Sequence, residues 1–424
     1  MTRYLPRIVD AELDELLDVL PAVSIEGARG VGKTETALRR ARTVHRLDDP
    51  AQRALALSDP TRLLSGPTPI LLDEWQRIPD SWDLVRRAVD SDRTPNQFIL
   101  TGSATPSEQP THSGAGRIVT VRMRPLALSE RGIEVPTVSL AALLGGARAP
   151  LSGHTDVSLG DYAREIVSSG LPAIRGLSGR PQRAILDGYL DRVVDHDFPE
   201  LGRTVRKPQV LRRWMTAYAA ATATSATWKT IRDAATGDGA ERPAKSTTIP
   251  YRDILERLWI VDPLPAWLPT RRLMTRLSRP AKHHLADPAL AARLLGLGVD
   301  ALLSADDGGP VIPRDGPLIG HLFESLVTLG IRSYAQSCES RTLHLRTQEG
   351  RREIDLIVER ADHRVVAIEV KLGRTVRSED VKNLLWLRER LGDDVLDMVV
   401  VNTGPDAYRR PDGVAVVPAA LLGP

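Results

Sequence analysis

The chain has 424 residues, of which 42% are hydrophobic and 26% charged, with a formal net charge of +3 at pH 7. That length allows two to four domains of ordinary globular composition, and a single cysteine, Cys338, excludes both an internal disulfide framework and a cysteine-rich zinc site. No apolar run reaches the roughly 18 residues of a membrane span and Met1–Asp10 lacks a signal-peptide core, so no membrane partner and a cytoplasmic location are expected.

In chain order, a short strand over Val23–Glu26 runs into Gly27-Ala28-Arg29-Gly30-Val31-Gly32-Lys33-Thr34, the pattern G-x-x-x-x-G-K-T, and a helix is predicted over Glu35–Arg42. Glycines let backbone N–H groups close around phosphate oxygens at a helix start. Lys33 can then reach the β- and γ-phosphates of ATP, and the Thr34 hydroxyl can ligate Mg²⁺. A second strand, Pro69–Glu74, ends in two carboxylates. Asp73 would hold the Mg²⁺ shell, and Glu74 would orient or deprotonate the attacking water. A third strand, Gln97–Leu100, ends at Thr101-Gly102-Ser103, and Arg117 precedes a further apolar stretch.

These segments carry a resemblance. GARGVGKT, ILLDEWQRIPD, FILTGSA and GRIVTVRMRPLALSERG are together similar to a group of bacterial and archaeal AAA-type ATPases with a C-terminal domain of unknown function. Gly170-Leu171-Pro172, Tyr251–Trp259 and Pro280–Asp287 match later parts of that pattern, although Ser169 stands where a glycine is expected. The resemblance implies a γ-phosphate sensor at Thr101 or Ser103, with Ser103 as the lead. It also implies self-association, so that Arg117 could be supplied across a subunit interface to the transferring phosphate. A surface arginine is the other reading of Arg117.

The predicted class is α/β, with four parts: an AAA-type P-loop core over 1–135, a helical lid over 136–204, a winged-helix-like domain over 205–275, and a mixed α/β domain over 276–424. Residues 136–160 read as a loop-heavy connection, and Gly237–Pro243 and Asp306–Gly316 as loops. Helices are predicted over Pro208–Ala223, Thr227–Ala235 and Ser246–Leu258, with Leu264–Trp267 closing a wing. Pro250 is placed near a helix start, since an interior proline breaks a helix. From Arg203 to Lys282 there are sixteen Lys or Arg against six Asp or Glu. This excess of ten leaves about −7 elsewhere, so the segment is the expected place for DNA phosphate contact. Packing between domains, without DNA, explains the same residues equally well.

Near the C-terminus, Gly320–Glu324 opens an amphipathic helix, and strands are predicted over Glu353–Val358 and Val365–Lys371, paired through Arg360–Arg364. Side chains alternate along a strand, so Glu369 and Lys371 share a face that Asp355 can meet. This is the D…E-x-K arrangement of the PD-(D/E)xK nuclease fold, completed by a helix over Ser378–Leu391 and a strand over Leu396–Val401. Asp355 and Glu369, with Glu324, would bind a second Mg²⁺ or Mn²⁺ through oxygen ligands, and Lys371 would position water or stabilise charge. A buried Glu369–Lys371 ion pair, or the same fold gripping nucleic acid without cutting it, would use the same residues. The expected activity is a Mg²⁺-dependent ATPase coupled to a DNA-binding module capable of cleavage. The rival is an ATP-driven switch or antitoxin-like regulator that binds DNA or a protein without cutting.

Overall fold

The computed structural model describes residues 4–103, 115–201, 207–236, 243–269, 279–303, 317–347 and 350–424. Five strands near the N-terminus pair in parallel: β1 (Ala22–Glu26), β2 (Thr43–Arg46), β3 (Ile70–Asp73), β4 (Phe98–Gly102) and β5 (Ile118–Arg122), in the order β2-β3-β4-β1-β5. Parallel strands covered on both faces read as unbroken apolar runs, and all four residues of β3 and all five of β4 are buried. Because the strands are parallel, the segments that leave β1, β3 and β4 emerge at the same edge of the sheet. The helix after the glycine loop is shorter than predicted, Lys33–Leu38. It stops where Arg40 turns back to pair with Asp10 and Asp14.

The second sheet gathers distant pieces of chain. Short strands β6 (Val138–Ser139), β7 (Gly153–His154) and β8 (Ala266–Trp267) precede β9 (Arg341–Arg346), β10 (Glu353–Glu359), β11 (Val365–Val370), β12 (Val395–Asn402), β13 (Asp406–Arg409), β14 (Ala415–Pro418) and β15 (Leu422–Gly423). Eight of them form a sheet in the order β7-β13-β14-β12-β11-β10-β9-β8, while β6 pairs with β15. The hairpin of β10 and β11 is antiparallel as expected. The helix Ser378–Leu391 lies on the sheet through Val381, Leu384 and Leu387, spaced three apart on one face. Residues 136–160, expected as a loop-heavy connection, thus send two short strands into the C-terminal part of the molecule.

In the middle, helices run over Pro208–Ala220, Trp228–Ala234 and Lys245–Arg257. Pro250 lies inside the third helix and does not mark its start. The chain accommodates it just past a tight first turn, in which the Thr247 and Thr248 N–H groups both donate to the Ala244 carbonyl (3.0 and 3.2 Å). The stretch expected to close a wing pairs elsewhere: Leu264 bridges Lys282, and Ala266–Trp267 runs parallel to β9. The expected turn over Gly237–Pro243 as far as residue 242, the loop over 306–316, and Arg271, Arg272 and Arg276 lie outside the described residues. Ser169, in the place expected for glycine, has φ of 62°, a left-handed conformation that favours glycine. Its hydroxyl and the Gly170 N–H both donate to Asp287 Oδ2 (2.6 and 2.8 Å), which holds the turn.

Candidate functional site

The glycine loop leaves β1 directly against the end of β5. A Cβ at Gly27 would stand 2.1 Å from the Met123 carbonyl oxygen, so the loop passes there only as glycine. Gly30 and Gly32 take φ of 80° and 104°, which turns the chain into the following helix. Arg7 braces the loop from behind, donating to the carbonyls of Val31 (2.6 Å) and Arg124 (2.7 Å). Lys33 is 4% exposed, and its ammonium donates to the Gly27 and Ala28 carbonyls (2.8 and 2.9 Å). Burial lowers its pKa to about 8, against the pull of the Glu74 and Asp73 carboxylates.

The ends of β3 and β4 complete this arrangement. Asp73 Oδ1 accepts from the Thr34 hydroxyl (2.8 Å) and the Thr101 hydroxyl (2.5 Å). Glu74 sits at φ of 57°, an uncommon conformation for a non-glycine residue that is typically held at functional sites by its surroundings. Here its N–H donates to Thr101 Oγ1 (3.3 Å), and its carboxylate accepts from Ser103 Oγ (2.8 Å) and from the Gln76 amide. Thr101 and Ser103 therefore both belong to the site, Thr101 on Asp73 and Ser103 on Glu74. Arg29 of the loop faces Asp197 (3.5 Å), and Arg77 beyond β3 pairs with Glu200 (3.2 Å), so the helical segment 193–200 borders the site. Arg117 is apart from these groups, just before β5 at the opposite end of the parallel strands, and pairs with Asp90 (2.8 Å).

Those residues fit a nucleotide with Mg²⁺. A cradle that a Cβ would fill, a buried ammonium and a threonine–aspartate pair at one sheet edge are the donors and oxygen ligands that phosphates and a hard cation require.

The C-terminal group is built on β10, β11 and the long helix Pro317–Ser337. The register Leu356↔Ile368 sets Asp355 across from Glu369. Asp355 Oδ2 accepts from the Val370 N–H (2.9 Å), and Lys371 Nζ donates to Glu369 Oε2 (2.8 Å). The centre of the group is held by Lys282, which the sequence gives no role at this site. Its side chain is 1% exposed, and Nζ lies 2.9 Å from Glu324 Oε1, 2.9 Å from Asp355 Oδ1 and 3.1 Å from Glu353 Oε1. Burial and the neighbouring Asp355 push Glu324 up to about 8 and raise Glu369 as well. Burial acts the same way on Asp355, but Lys282 and Lys371 outweigh it and hold that carboxyl low. This set does not fit a divalent ion as it stands, because an ammonium occupies the space that the expected ligands Glu324, Asp355 and Glu369 would enclose. Among the described residues no group of three or more His, Cys, Asp or Glu is placed to hold a metal.

Comparison with known proteins divides the chain in three. Residues 20–131 match the family described as AAA domain, residues 159–301 match the domain of unknown function DUF8612, and residues 319–422 match the domain of unknown function DUF4143. Residues 20–131 form an AAA-type P-loop ATPase domain. The uncharacterized proteins Rv2008c of Mycobacterium tuberculosis and Mb2031c of Mycobacterium bovis are each 26% identical to the chain over 419 residues, covering 96% of it and 82% of their own length. The Walker-type ATPase PABY2304 of Pyrococcus abyssi is 15% identical, with a TM-score of 0.38 over 67% of this chain and 94% of that one. All the residues expected to contact the nucleotide phosphates or the Mg²⁺ bound with them lie inside the AAA domain. Lys282 lies outside both the AAA domain and the segment that carries Glu324, Asp355 and Glu369. Its sequence signals are membership of the Pro280–Asp287 motif and of the basic span Arg203–Lys282.

Proposed function

We propose that the chain is a Mg²⁺-dependent ATPase whose nucleotide state acts on a C-terminal, nuclease-like module that engages DNA. The observation that carries the ATPase part is the network joining Thr34, Asp73, Thr101, Glu74 and Ser103 at one edge of the sheet. The loop Gly27–Gly32 would wrap the phosphates with its N–H groups, with Lys33 leaving its two carbonyl acceptors for the β- and γ-phosphates. Thr34 and Asp73 would hold Mg²⁺, which neutralises charge on the transferring phosphate. Glu74, aimed by Ser103 and Gln76, would accept the proton of the attacking water. Arg117 would act in a neighbouring subunit of a homo-oligomer. Its partner in the chain, Asp90, is exposed, and exposed ion pairs are readily exchanged.

The proposed parts are 1–135, 136–204, 205–275 and 276–424, the second serving as a lid over the nucleotide through Asp197 and Glu200. The basic excess between Arg203 and Lys282 supports DNA as the partner of the third and fourth parts. Among the described residues no helix is long and apolar enough to cross a membrane, and we place the protein in the cytoplasm. The D…E-x-K hairpin with Glu324 supports the PD-(D/E)xK-like reading of the last part, with Lys371 positioned for catalysis. The central position of Lys282 favours a second reading, in which an ATP-driven switch or antitoxin-like regulator binds DNA or a protein without cutting. Two assays separate these: phosphate release with Mg²⁺ against chelator, and nicking of supercoiled plasmid with Mg²⁺ or Mn²⁺. Phosphate release without nicking would leave the switch. Mg²⁺-independent or absent phosphate release would remove the ATPase.

A further inference from the structure

Four carboxylates, Glu324, Glu353, Asp355 and Glu369, and two ammonium groups, Lys282 and Lys371, share one largely buried region. Carboxylates brought this close repel unless a cation or a proton lies among them. Lys371 reaches Glu369 from the strand itself. Lys282 arrives from another part of the chain, and it alone contacts three of the four acids. Both oxygens of Asp355 are engaged, Oδ1 by Lys282 and Oδ2 by the Val370 N–H. A divalent ion sits about 2.1–2.6 Å from a carboxylate oxygen. Bound through Asp355 Oδ1, it would fall within about 5.5 Å of the Lys282 ammonium in low-dielectric surroundings, where like charges repel strongly. The ammonium and the ion therefore compete for one place.

Lys282 is set there by its backbone. Leu264 and Lys282 exchange both N–H···O bonds (2.8 and 3.0 Å), and Asp262 N–H donates to the His284 carbonyl (2.9 Å), so the segments 261–264 and 282–285 form a ladder. Asp262 on that ladder is gripped by Arg122 (2.9 Å) and Arg124 (3.3 Å) of the AAA domain and by Arg332 (2.5 Å). Met123, between those two AAA arginines, is the residue whose carbonyl Gly27 of the phosphate loop packs against. The ladder that delivers Lys282 to the acids is thus anchored beside the nucleotide loop.

We propose that Lys282 is an internal cation closing the C-terminal acid cluster, so that the cluster as folded excludes a divalent ion that its carboxylates would otherwise take up. This rests on the nuclease-like reading of the cluster. The test measures Mn²⁺ binding to nucleotide-free protein by calorimetry, with folding followed by circular dichroism. Lys282→Met gains one Mn²⁺ site at least about tenfold tighter than any in the wild type, because an oxygen-ligand set is freed of its competing charge. Adding Asp355→Asn to Lys282→Met removes the gain. Should Lys282→Met alone not fold, Lys282→Met with Glu353→Gln removes one charge of each sign, keeps Glu324, Asp355 and Glu369, and shows the same gain. Wild type that binds Mn²⁺ as tightly as these variants overturns the proposal, as does a folded variant with no gain. Plasmid nicking by the Mn²⁺-loaded variant judges the nuclease reading separately. Uptake without nicking retires cleavage and leaves the internal cation standing.

Discussion

At the scale of single residues, the two carboxylates of the nucleotide site take different hydroxyls: Asp73 accepts from Thr34 and Thr101, and Glu74 from Ser103. Thr101 is bonded to Asp73 and Ser103 to Glu74, so the two polar residues that end β4 do different work. Ser103 touches Glu74, the proposed base, through a single hydrogen bond, and losing a bond that only orients a base costs less than losing the base. Ser103→Ala should therefore lower ATP turnover by about tenfold while leaving nucleotide affinity nearly unchanged, as read from steady-state phosphate release and from titration with a fluorescent nucleotide. Unchanged turnover would reduce Ser103 to a strand-end turn. Local sequence pattern makes this site legible, since each residue stands at the end of an apolar run and the runs are parallel neighbours. Which hydroxyl serves which acid depends on side-chain directions across β3 and β4, which spacing does not contain.

Among the elements, the ladder formed by 261–264 and 282–285 ties the AAA domain to the C-terminal part. Asp262 is its anchor: buried, and kept well below the usual carboxylate range by Arg332, Arg122 and Arg124 in spite of the opposing effect of burial. Removing its charge leaves three guanidinium groups around a neutral side chain, and breaking such a buried cluster typically costs about 3–5 kcal/mol. Asp262→Asn should thus lower the urea midpoint by an amount equivalent to about 3 kcal/mol. A loss below about 1 kcal/mol would mean that other groups satisfy the arginines. The ladder is also where sequence legibility ends. The hairpin of β10 and β11 and the helix Ser378–Leu391 show their periods plainly, and the structure has them with nearly the expected bounds. Two-residue strands such as β6, β7 and β8 have no period to read. The contacts of Lys282 with Glu324 and Asp355 span 42 and 73 residues, and no local pattern encodes them. Pro250 stands inside its helix and not at the start, where a local rule puts it, because packing of Tyr251, Ile254 and Leu255 offsets the backbone bond lost at the proline, a tertiary effect.

For the whole molecule, the uneven charge is the observation behind the proposed DNA partner. The proposed DNA binding by the basic span would release counterions, so its affinity should fall steeply with salt. Charge reversal at Arg271, Arg272 and Arg276 together should flatten the slope of log affinity against log salt by about three, read by fluorescence anisotropy between low and physiological salt. Absence of binding at low salt would assign the span to packing between parts of the chain. The central claim, that the AAA domain hydrolyses ATP with Glu74 as the base, is tested most directly by measuring bound nucleotide and released phosphate side by side in wild type and Glu74→Gln. The substitution should keep Mg²⁺-dependent ATP binding and slow phosphate release by at least about 100-fold, leaving ATP trapped on the protein; equal turnover in the two proteins would contradict the account.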